Sequence, residues 1–215
     1  TDIRLAAFAA YIRMQEGYLQ PHKSRLINAL SSSDKDMKII ALRALKECQL
    51  EGQSLEDWMP IIYLLGAKDR ALVNESKELL RLSMGACKNV LITQIFAEDV
   101  PVQQRFEILS LVYPRLTEEQ KRKLRDKADT SLKNFVEING LLRLHHARKH
   151  TSKVYDLINK VLQEIAENHL LQVLTEITFA SDKNLEFFQR VSRGLFSASR
   201  ANQGNALEVL SNAGE

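Results

Sequence analysis

The chain has 215 residues, of which 45% are hydrophobic, with eight glycines, four prolines and a formal net charge of +3 at pH 7. This composition supports a sizeable core, but the charge is too small for a dedicated nucleic-acid binder, in which one sign dominates a whole face. The apolar run at residues 60–65 is far shorter than the ~20 residues of a membrane-spanning helix, and no run in the chain approaches that length. Cys48 and Cys87 fall in helical patterns and form no metal or redox motif, so they predict core thiols in a reducing compartment.

Apolar residues recur at helical spacing along the chain and predict helices joined by short turns. Turn and cap signals separate them: Ser31–Asp34 precedes the third helix, Ser54 and Asp57 have capping-box spacing before the fourth, and Gly85 ends the fifth. The first seven predicted helices lie approximately at residues 2–15, 21–30, 34–48, 54–65, 72–82, 90–96 and 101–112.

The pattern becomes less regular after residue 112. Residues 117–120 read T-E-E-Q and open a long charged helix, in which Gly140 is a candidate kink or break. Thr151-Ser152 caps the next helix, which carries six strongly periodic apolar residues: Val154, Leu157, Ile158, Val161, Leu162 and Ile165. Three further helices are predicted at residues 170–179, at residues 185–196, and from residue 202 onward.

One segment recurs along the chain. Residues 34–45 read D-K-D-M-K-I-I-A-L-R-A-L, and the start of the chain aligns with this segment at an offset of 34 residues. At the Ala41 position the other copies carry Ala7, Ser76 and Ala206. A period in the mid-thirties is typical of stacked helical hairpins. We therefore predict that Ala41 is buried against a neighbouring helix, because a small side chain lets two helices approach closely.

The repeated segment resembles the first helix of HEAT repeats, which commonly follows the pattern D-x-x-V-R-x-x-A-x-x-A-L. The matching residues are Ile3-Arg4, Ala7 and Ala10 in one copy, and Met37-Lys38, Ala41, Ala44 and Leu45 in another. The resemblance implies an all-α fold, an α-solenoid of about six HEAT-like helical hairpins. It would form one domain over residues 1–215, with regular repeats over 1–100 and less regular repeats over 101–215. A solenoid presents an extended surface for a partner, so the expected function is a non-enzymatic protein–protein interaction or regulatory module that needs no cofactor.

The segment from Leu170 to Leu210 is similar to the HEAT segment of bacterial multidomain membrane proteins. In those proteins a transporter-like region related to ATP/ADP translocases precedes the repeats, and a cyclic-nucleotide-binding domain often follows. The residues that carry this resemblance are Phe187-Phe188, Gly194-Leu195-Phe196-Ser197 and Asn205-Ala206-Leu207-Glu208-Val209-Leu210. This chain departs from the pattern at Gln203-Gly204, and it has Ser211 where Asp is usual. The resemblance implies an excised segment of a longer parent protein. That segment would be cytoplasmic and tethered to the inner membrane through the parent, whose other domains are candidate partners.

A basic stretch between two predicted helices is the candidate contact site. Residues 139–154 contain no acid, so a positive patch there could meet phosphate, an acidic partner or anionic lipid headgroups. The alternative is a solvated helix end whose cations lie near the negative end of the dipole. His146 and His150 are four residues apart, which is metal-ligand spacing, but a third ligand is missing and we predict exposed histidines without a metal. The predicted patch comprises Arg143, His146, Arg148, Lys149, His150 and Lys153.

Two other features carry alternatives. The basic run Lys121–Lys127 is offset by Glu118 and Glu119, which are expected to pair with Arg122 and Lys123 at i,i+4 spacing on an exposed face. Asp57 beside Trp58 has the residue types of HEAT-like DNA glycosylases, and a nucleic-acid-binding protein of that kind, supported by the pI near 8.8 and the two basic runs, is the alternative function. A lone Trp on an apolar helix is more often core, and no catalytic residue is predicted.

Overall fold

The computed structural model describes residues 22–48, 54–147, 152–180 and 199–213, together with Ala10, Leu50, Val191 and Gly194. Every regular element in these ranges is helical, which confirms the predicted all-α class. The helices are α1 (Lys23–Ala29), α2 (Lys35–Lys46), α3 (Leu55–Tyr63), α4 (Arg70–Leu82), α5 (Met84–Phe96), α6 (Val102–Val112), α7 (Glu118–Ala147), α8 (Lys153–Ala180) and α9 (Arg200–Ala213). Short 3₁₀ turns follow α3 at Leu64–Gly66 and α6 at Tyr113–Arg115.

The chain divides into two compact units, Thr1–Arg115 and Leu116–Glu215. In the first unit α2 packs on α4 and α4 packs on α6, while α1 packs on α3 and α3 packs on α5. These helices therefore form two layers, with α2, α4 and α6 in one and α1, α3 and α5 in the other. Contacts of α1 with α2, and of α5 with both α4 and α6, join the layers.

Two helices of the same layer begin with the same cap. Asp34 Oδ1 accepts hydrogen bonds from the backbone N–H groups two and three residues later, at 2.9 and 3.2 Å. Asp69, 35 positions further on, accepts the equivalent pair at 2.9 and 3.4 Å. An aspartate in this role satisfies N–H groups that have no partner inside the helix, and it contributes ~1 kcal/mol. The cap predicted at Asp34 is confirmed, and its recurrence matches the repeat offset.

The other layer has the predicted capping box. The N–H of Asp57 donates to Ser54 Oγ at 3.3 Å, and the N–H of Ser54 donates back to Asp57 Oδ2 at 3.2 Å. Trp58 follows this cap and is buried in the core of the first unit. Cys48 and Cys87 are buried there too, as predicted.

The fifth predicted helix ends at Leu82, as predicted, but Gly85 is not its stop. Helix α4 ends at Leu82 and α5 begins at Met84, so Gly85 lies in the first turn of α5. A glycine is tolerated there because the N–H groups of a first turn have no intrahelical partner to lose. The stop is made instead at Ser83, whose N–H donates to the Leu79 carbonyl at 3.0 Å.

The second unit is built on a long helical hairpin. Helices α7 and α8 have 30 and 28 residues, pack along each other and run antiparallel, because only residues 148–152 connect them. Ser152 caps α8, since its Oγ accepts a hydrogen bond from the Tyr155 N–H at 3.2 Å. Gly140 lies inside a continuous α7, and the separate helix predicted at residues 170–179 is the C-terminal part of α8. No glycine or proline interrupts residues 153–180, so nothing in the backbone ends the helix earlier.

The seam of this hairpin follows a three–four spacing on both helices. Its members are buried or half-buried: on α7 Leu124, Ala128, Ser131, Phe135, Ile138, Leu142 and His145, and on α8 Tyr155, Asn159, Leu162, Ala166, His169, Val173 and Glu176. This is the spacing by which two long helices keep one stripe facing the other.

A close helix contact lies near the C-terminal end. A Cβ placed on Gly194 would lie 2.5 Å from the Cβ of Ala206 and 3.0 Å from the carbonyl oxygen of Asn202. Ala206 is buried, as its place in the repeated segment predicts. Ala41 and Ser76 are fully buried as well, whereas Ala7 lies outside the described residues.

Candidate functional site

The predicted basic patch is divided between two helices. Arg143 lies near the end of α7 and Lys153 is the first residue of α8, and both are exposed. His146 lies in α7, while Arg148, Lys149 and His150 lie outside the described residues. The patch therefore stays a prediction. Its two described cations do lie at the same end of the hairpin, on either side of the connection.

A histidine that the sequence analysis did not single out anchors this end. The ring of His145 stacks on Tyr155, with centroids 3.8 Å apart and an interplanar angle of 15°. His145 Nδ1 also lies 2.8 Å from Asn159 Oδ1. With that oxygen as acceptor, Nδ1 carries the proton, which fixes the tautomer. These contacts hold the two helices together beside the predicted patch. The three–four seam spacing was the signal that could have indicated His145.

The second basic run lies on α7, and two of its cations, Lys121 and Lys123, are paired with glutamates. Lys123 lies 2.9 Å from Glu119, as predicted, and this contact lowers the pKa of the Glu119 carboxyl. Glu118 pairs with Lys121 at 3.1 Å rather than with Arg122, because residues three apart are also neighbours on a helix. A shallow hollow of about 410 Å³ lies between these side chains, and it is lined by Glu118, Glu119, Arg122 and Arg125. Its two acids and two cations do not favour a ligand of either charge.

Ion pairs join α2 to α4 in the first layer. Glu75 accepts hydrogen bonds from Arg43 Nε at 2.7 Å and from Lys46 Nζ at 2.6 Å. Lys46 also donates to Glu78, and Lys35 lies 2.6 Å from the capping residue Asp69. Burial acts to raise the pKa of Glu75, but the hydrogen bonds from Lys46 and Arg43 outweigh it and lower that pKa. Burial likewise acts to lower the pKa of Lys46, and the bonds to Glu75 and Glu78 raise it.

The same arrangement continues from α4 to α6. Glu107 is almost fully buried and accepts hydrogen bonds from Lys77 Nζ at 2.6 Å and from Arg70 at 3.2 Å. Lys77 also donates to Ser110 Oγ at 2.9 Å. We call these contacts and those between α2 and α4 the ion-pair ladder. Each cation of the ion-pair ladder has an acid on a neighbouring helix. The charges of the ladder are therefore used in contacts between the helices of this layer.

The other layer has a different surface. Helix α5 buries Met84, Cys87, Leu91 and Ile95 and exposes Gly85, Asn89 and Thr93 on the opposite side. Lys88 is the one charged residue among the thirteen of α5. The Thr93 hydroxyl donates to the Asn89 carbonyl at 3.0 Å, so it is satisfied within the helix.

The neighbouring helix α3 adds large exposed side chains to this surface. Leu55 and Tyr63 are 52% and 60% exposed, and Glu56 is the exposed charge. We call the solvent side of these helices the α3–α5 face: Leu55, Met59, Tyr63, Asn89, Val90 and Thr93. It is a weakly charged surface on the layer that lacks the ion-pair ladder.

Trp58 and Asp57, the residues of the alternative enzymatic interpretation, have structural contacts. Trp58 is 1% exposed and Asp57 is engaged in the capping box, so neither is presented to a substrate together with the other. Among the described residues, no group of three His, Cys, Asp or Glu side chains could hold a metal ion. Within the same part of the chain, none of the helices combines the length and apolarity required to cross a membrane.

Comparisons with known proteins add no relative to these observations: no family model, no curated protein and no solved structure matches this chain.

Proposed function

We propose that this chain is a non-enzymatic protein–protein interaction module, built as an α-solenoid of HEAT-like hairpins, whose partner docks on the α3–α5 face. The observation that supports this most directly is the difference between the two layers of the first unit. One layer pairs its charges internally through the ion-pair ladder, and the other exposes Tyr63, Asn89 and Thr93 with few charges around them.

The chemistry of this face suits a protein rather than a nucleic acid. The central parts of protein–protein interfaces are depleted in charged residues and enriched in aromatic residues such as Tyr. A phosphate backbone instead requires several unpaired cations, since these supply most of its affinity. In the first unit Arg43, Lys46 and Lys77 are all within 3 Å of a carboxylate oxygen, so their charge is already compensated.

The proposal extends to the setting of the module. The resemblance of residues 170–210 to repeats that follow a transporter-like region supports a cytoplasmic regulatory role within a larger parent protein. A module of this kind shifts the equilibrium between two states of its parent protein when its contacts with the parent differ between those states. The partner would then be another domain of the same chain or a protein recruited to it.

Site-specific photo-crosslinking tests the proposal. A photoreactive phenylalanine analogue is placed at Tyr63 or at Thr93 on the α3–α5 face, and in matched variants at Arg81 or at Asn74, exposed positions of α4 in the other layer. In cells that produce the parent protein, the first two positions should give the same discrete adduct, and the two α4 positions should not. Asn89→Arg, which adds a charge to the face without touching the core, should reduce that adduct at least several-fold. Equal adducts from both layers, or none from the α3–α5 face, would rule the surface out.

A further inference from the structure

A second apolar stripe runs beside the seam of the α7–α8 hairpin. On α8, Val154, Ile158, Val161 and Ile165 each directly precede a seam residue, namely Tyr155, Asn159, Leu162 and Ala166. On α7, Leu141 and Leu144 directly precede the seam residues Leu142 and His145. All six preceding residues are aliphatic, and they are between 38% and 66% exposed. Two long helices thus leave large aliphatic side chains in solvent although their seam is already filled.

The six residues lie on one side of the hairpin. Successive residues of a helix are about 100° apart, so a residue that precedes a seam position lies on one particular flank of the seam. In an antiparallel pair the preceding flanks of both helices fall on the same side. Leu141 and Leu144 are also at the connection end of α7, where Val154 and Ile158 begin α8. The side chains therefore form one patch, which we call the hairpin patch: Leu141, Leu144, Val154, Ile158, Val161 and Ile165.

The apolar area of this patch approaches that of one side of a protein interface. At about half exposure, six such side chains offer on the order of 180–360 Å² of apolar surface, from the ~60–120 Å² that a fully buried aliphatic side chain represents. Leu157, exposed at the margin, adds to this area. A standard interface buries about 800 Å² per partner, of which roughly 450 Å² is apolar. A patch of this size is comparable to the largest apolar patch of a typical monomer, which is often a functional surface.

Charges at the margin indicate what covers the patch. Lys153 and Glu164 are both exposed on α8 and are eleven residues apart, which is three helical turns, so they lie on the same margin at opposite ends of the patch. Two copies of α8 that cross antiparallel between Ile158 and Val161 place Ile158 of one beside Val161 of the other. The same arrangement sets Lys153 of each copy close to Glu164 of the other. Lys160 is exposed on the same margin at the crossing, where its two copies lie near each other and repel. The two Lys153–Glu164 pairs at the ends of the patch therefore supply the complementarity that a two-fold symmetric contact requires.

We infer that the hairpin patch binds a second copy of this chain, in an antiparallel two-fold contact of α8 on α8 that makes a four-helix arrangement with the two α7 helices. Leu132 and Val136 are exposed too, but they follow the seam residues Ser131 and Phe135 and so lie on the other side of α7. They are outside the contact. The inference goes beyond the proposed function because it concerns a different unit and a different surface.

The first experiment measures the mass of the 215-residue chain by light scattering at roughly 10 μM and 100 μM, where Kd values in the micromolar range are visible. The expected result is a dimer. Val161→Lys should give a monomer, because it puts a charge at the centre of the patch, whereas Val136→Lys, the same substitution on the other side of the hairpin, should stay dimeric. Helical circular dichroism of both variants should equal that of the unchanged chain. A monomer at 100 μM, or equal dissociation by both variants, would overturn the inference.

A charge exchange tests the antiparallel geometry. Lys153→Glu alone and Glu164→Lys alone should each weaken the dimer several-fold, because each places like charges together at both ends. The double variant should recover the original dissociation constant, since the pairing is then reversed but complete. Absence of recovery would exclude this register. Because photo-crosslinking at the α3–α5 face reads a different surface, failure of either proposal leaves the other open to its own test.

Discussion

Lys46 Nζ lies 2.6 Å from Glu75 Oε2, and the two side chains are only 14% and 15% exposed. This contact joins α2 to α4 at positions 29 residues apart in the chain. An enclosed ion pair is disrupted at greater cost than a surface pair, since removal of one partner leaves the other charge poorly solvated. The pair therefore makes the packing of neighbouring helices in the first layer sensitive to pH.

Glu75→Gln should reduce stability at neutral pH and lose its effect in acid. The folded-state pKa of Glu75 is lowered, so its ionised form contributes stability above its ordinary value near 4.5, and that contribution is lost as pH falls through the lowered pKa. Lys46 has a raised pKa, so its contribution persists below about 10.5 and is lost as pH rises through the raised value. Urea midpoints of variant and unchanged chain should differ from pH 6 to pH 9 and converge in acid, as the pH falls through the lowered pKa of Glu75. The control is Glu119→Gln, at an exposed pair, for which we expect a smaller difference; a constant difference for Glu75→Gln across the range would contradict the prediction.

Ala41→Leu should destabilise the first unit by ~1–3 kcal/mol, because three extra carbons enter a fully packed position. The control is Lys38→Leu, one turn earlier. The structure places Lys38 half-buried, nearer to solvent than the fully buried Ala41, so its side chain has room to adjust and the substitution should cost little. Chemical denaturation compares the two. Equal midpoints for Ala41→Leu and the unchanged chain would mean that this small-residue position does not govern helix packing.

Ser76→Ala should stabilise the chain by up to about 1 kcal/mol. Ser76 is fully buried at the repeat position of Ala41, and its Oγ has no hydrogen-bond partner within the described residues. A buried hydroxyl without a partner keeps the cost of its desolvation, and alanine removes that cost while preserving the small volume. The measurement is the denaturation midpoint. A loss of stability would show that the hydroxyl is satisfied in solution, for example by a buried water.

Gly194→Ala and Gly140→Ala should change stability in opposite directions. The first would set a methyl group 2.5 Å from the Ala206 Cβ and push two segments apart, with a cost of about 1–3 kcal/mol. The second meets nothing within 4 Å inside α7 and should stabilise by ~0.5–1 kcal/mol, since alanine restricts the unfolded chain and favours helix. Thermal unfolding followed at 222 nm compares the two variants. The prediction fails if Gly194→Ala is neutral.

Local signals in the sequence predicted much of the first unit. Ser54 with Asp57, Asp34 before α2, and the small residue at Ala41 each act through contacts within a few residues or through one packing position. Such features are encoded locally, so the helix starts and the burial of Ala41 follow from the chain itself. The ion-pair ladder was not predictable, because Glu75 and Glu107 find their cations about 30 residues away, on helices whose rotation the sequence does not specify.

The second unit shows why periodicity alone is insufficient. Val154, Ile158 and Val161 are strongly periodic, yet the seam is formed by the residues that follow them, among them Tyr155 and Asn159. Tyr155 and Asn159 carry polar groups, so a hydropathy pattern does not identify them as seam residues. In the structure both nevertheless pack against His145. The basic patch could not be placed for another reason. Its residues lie on both sides of the predicted cap at Thr151-Ser152, and Ser152 does begin a new helix between Arg143 and Lys153.

The reactivity of the two buried thiols reports how often the first unit opens. Burial raises the pKa of Cys87 to about 11, and Cys48 is buried as well, with its Sγ donating to the Ala44 carbonyl at 3.6 Å. A thiol reagent reacts with the thiolate, so neither cysteine is modified until the surrounding helices open. The second unit contains no cysteine. The rate at which the unaltered chain takes up such a reagent therefore times the opening of the first unit alone, however often the long hairpin frays.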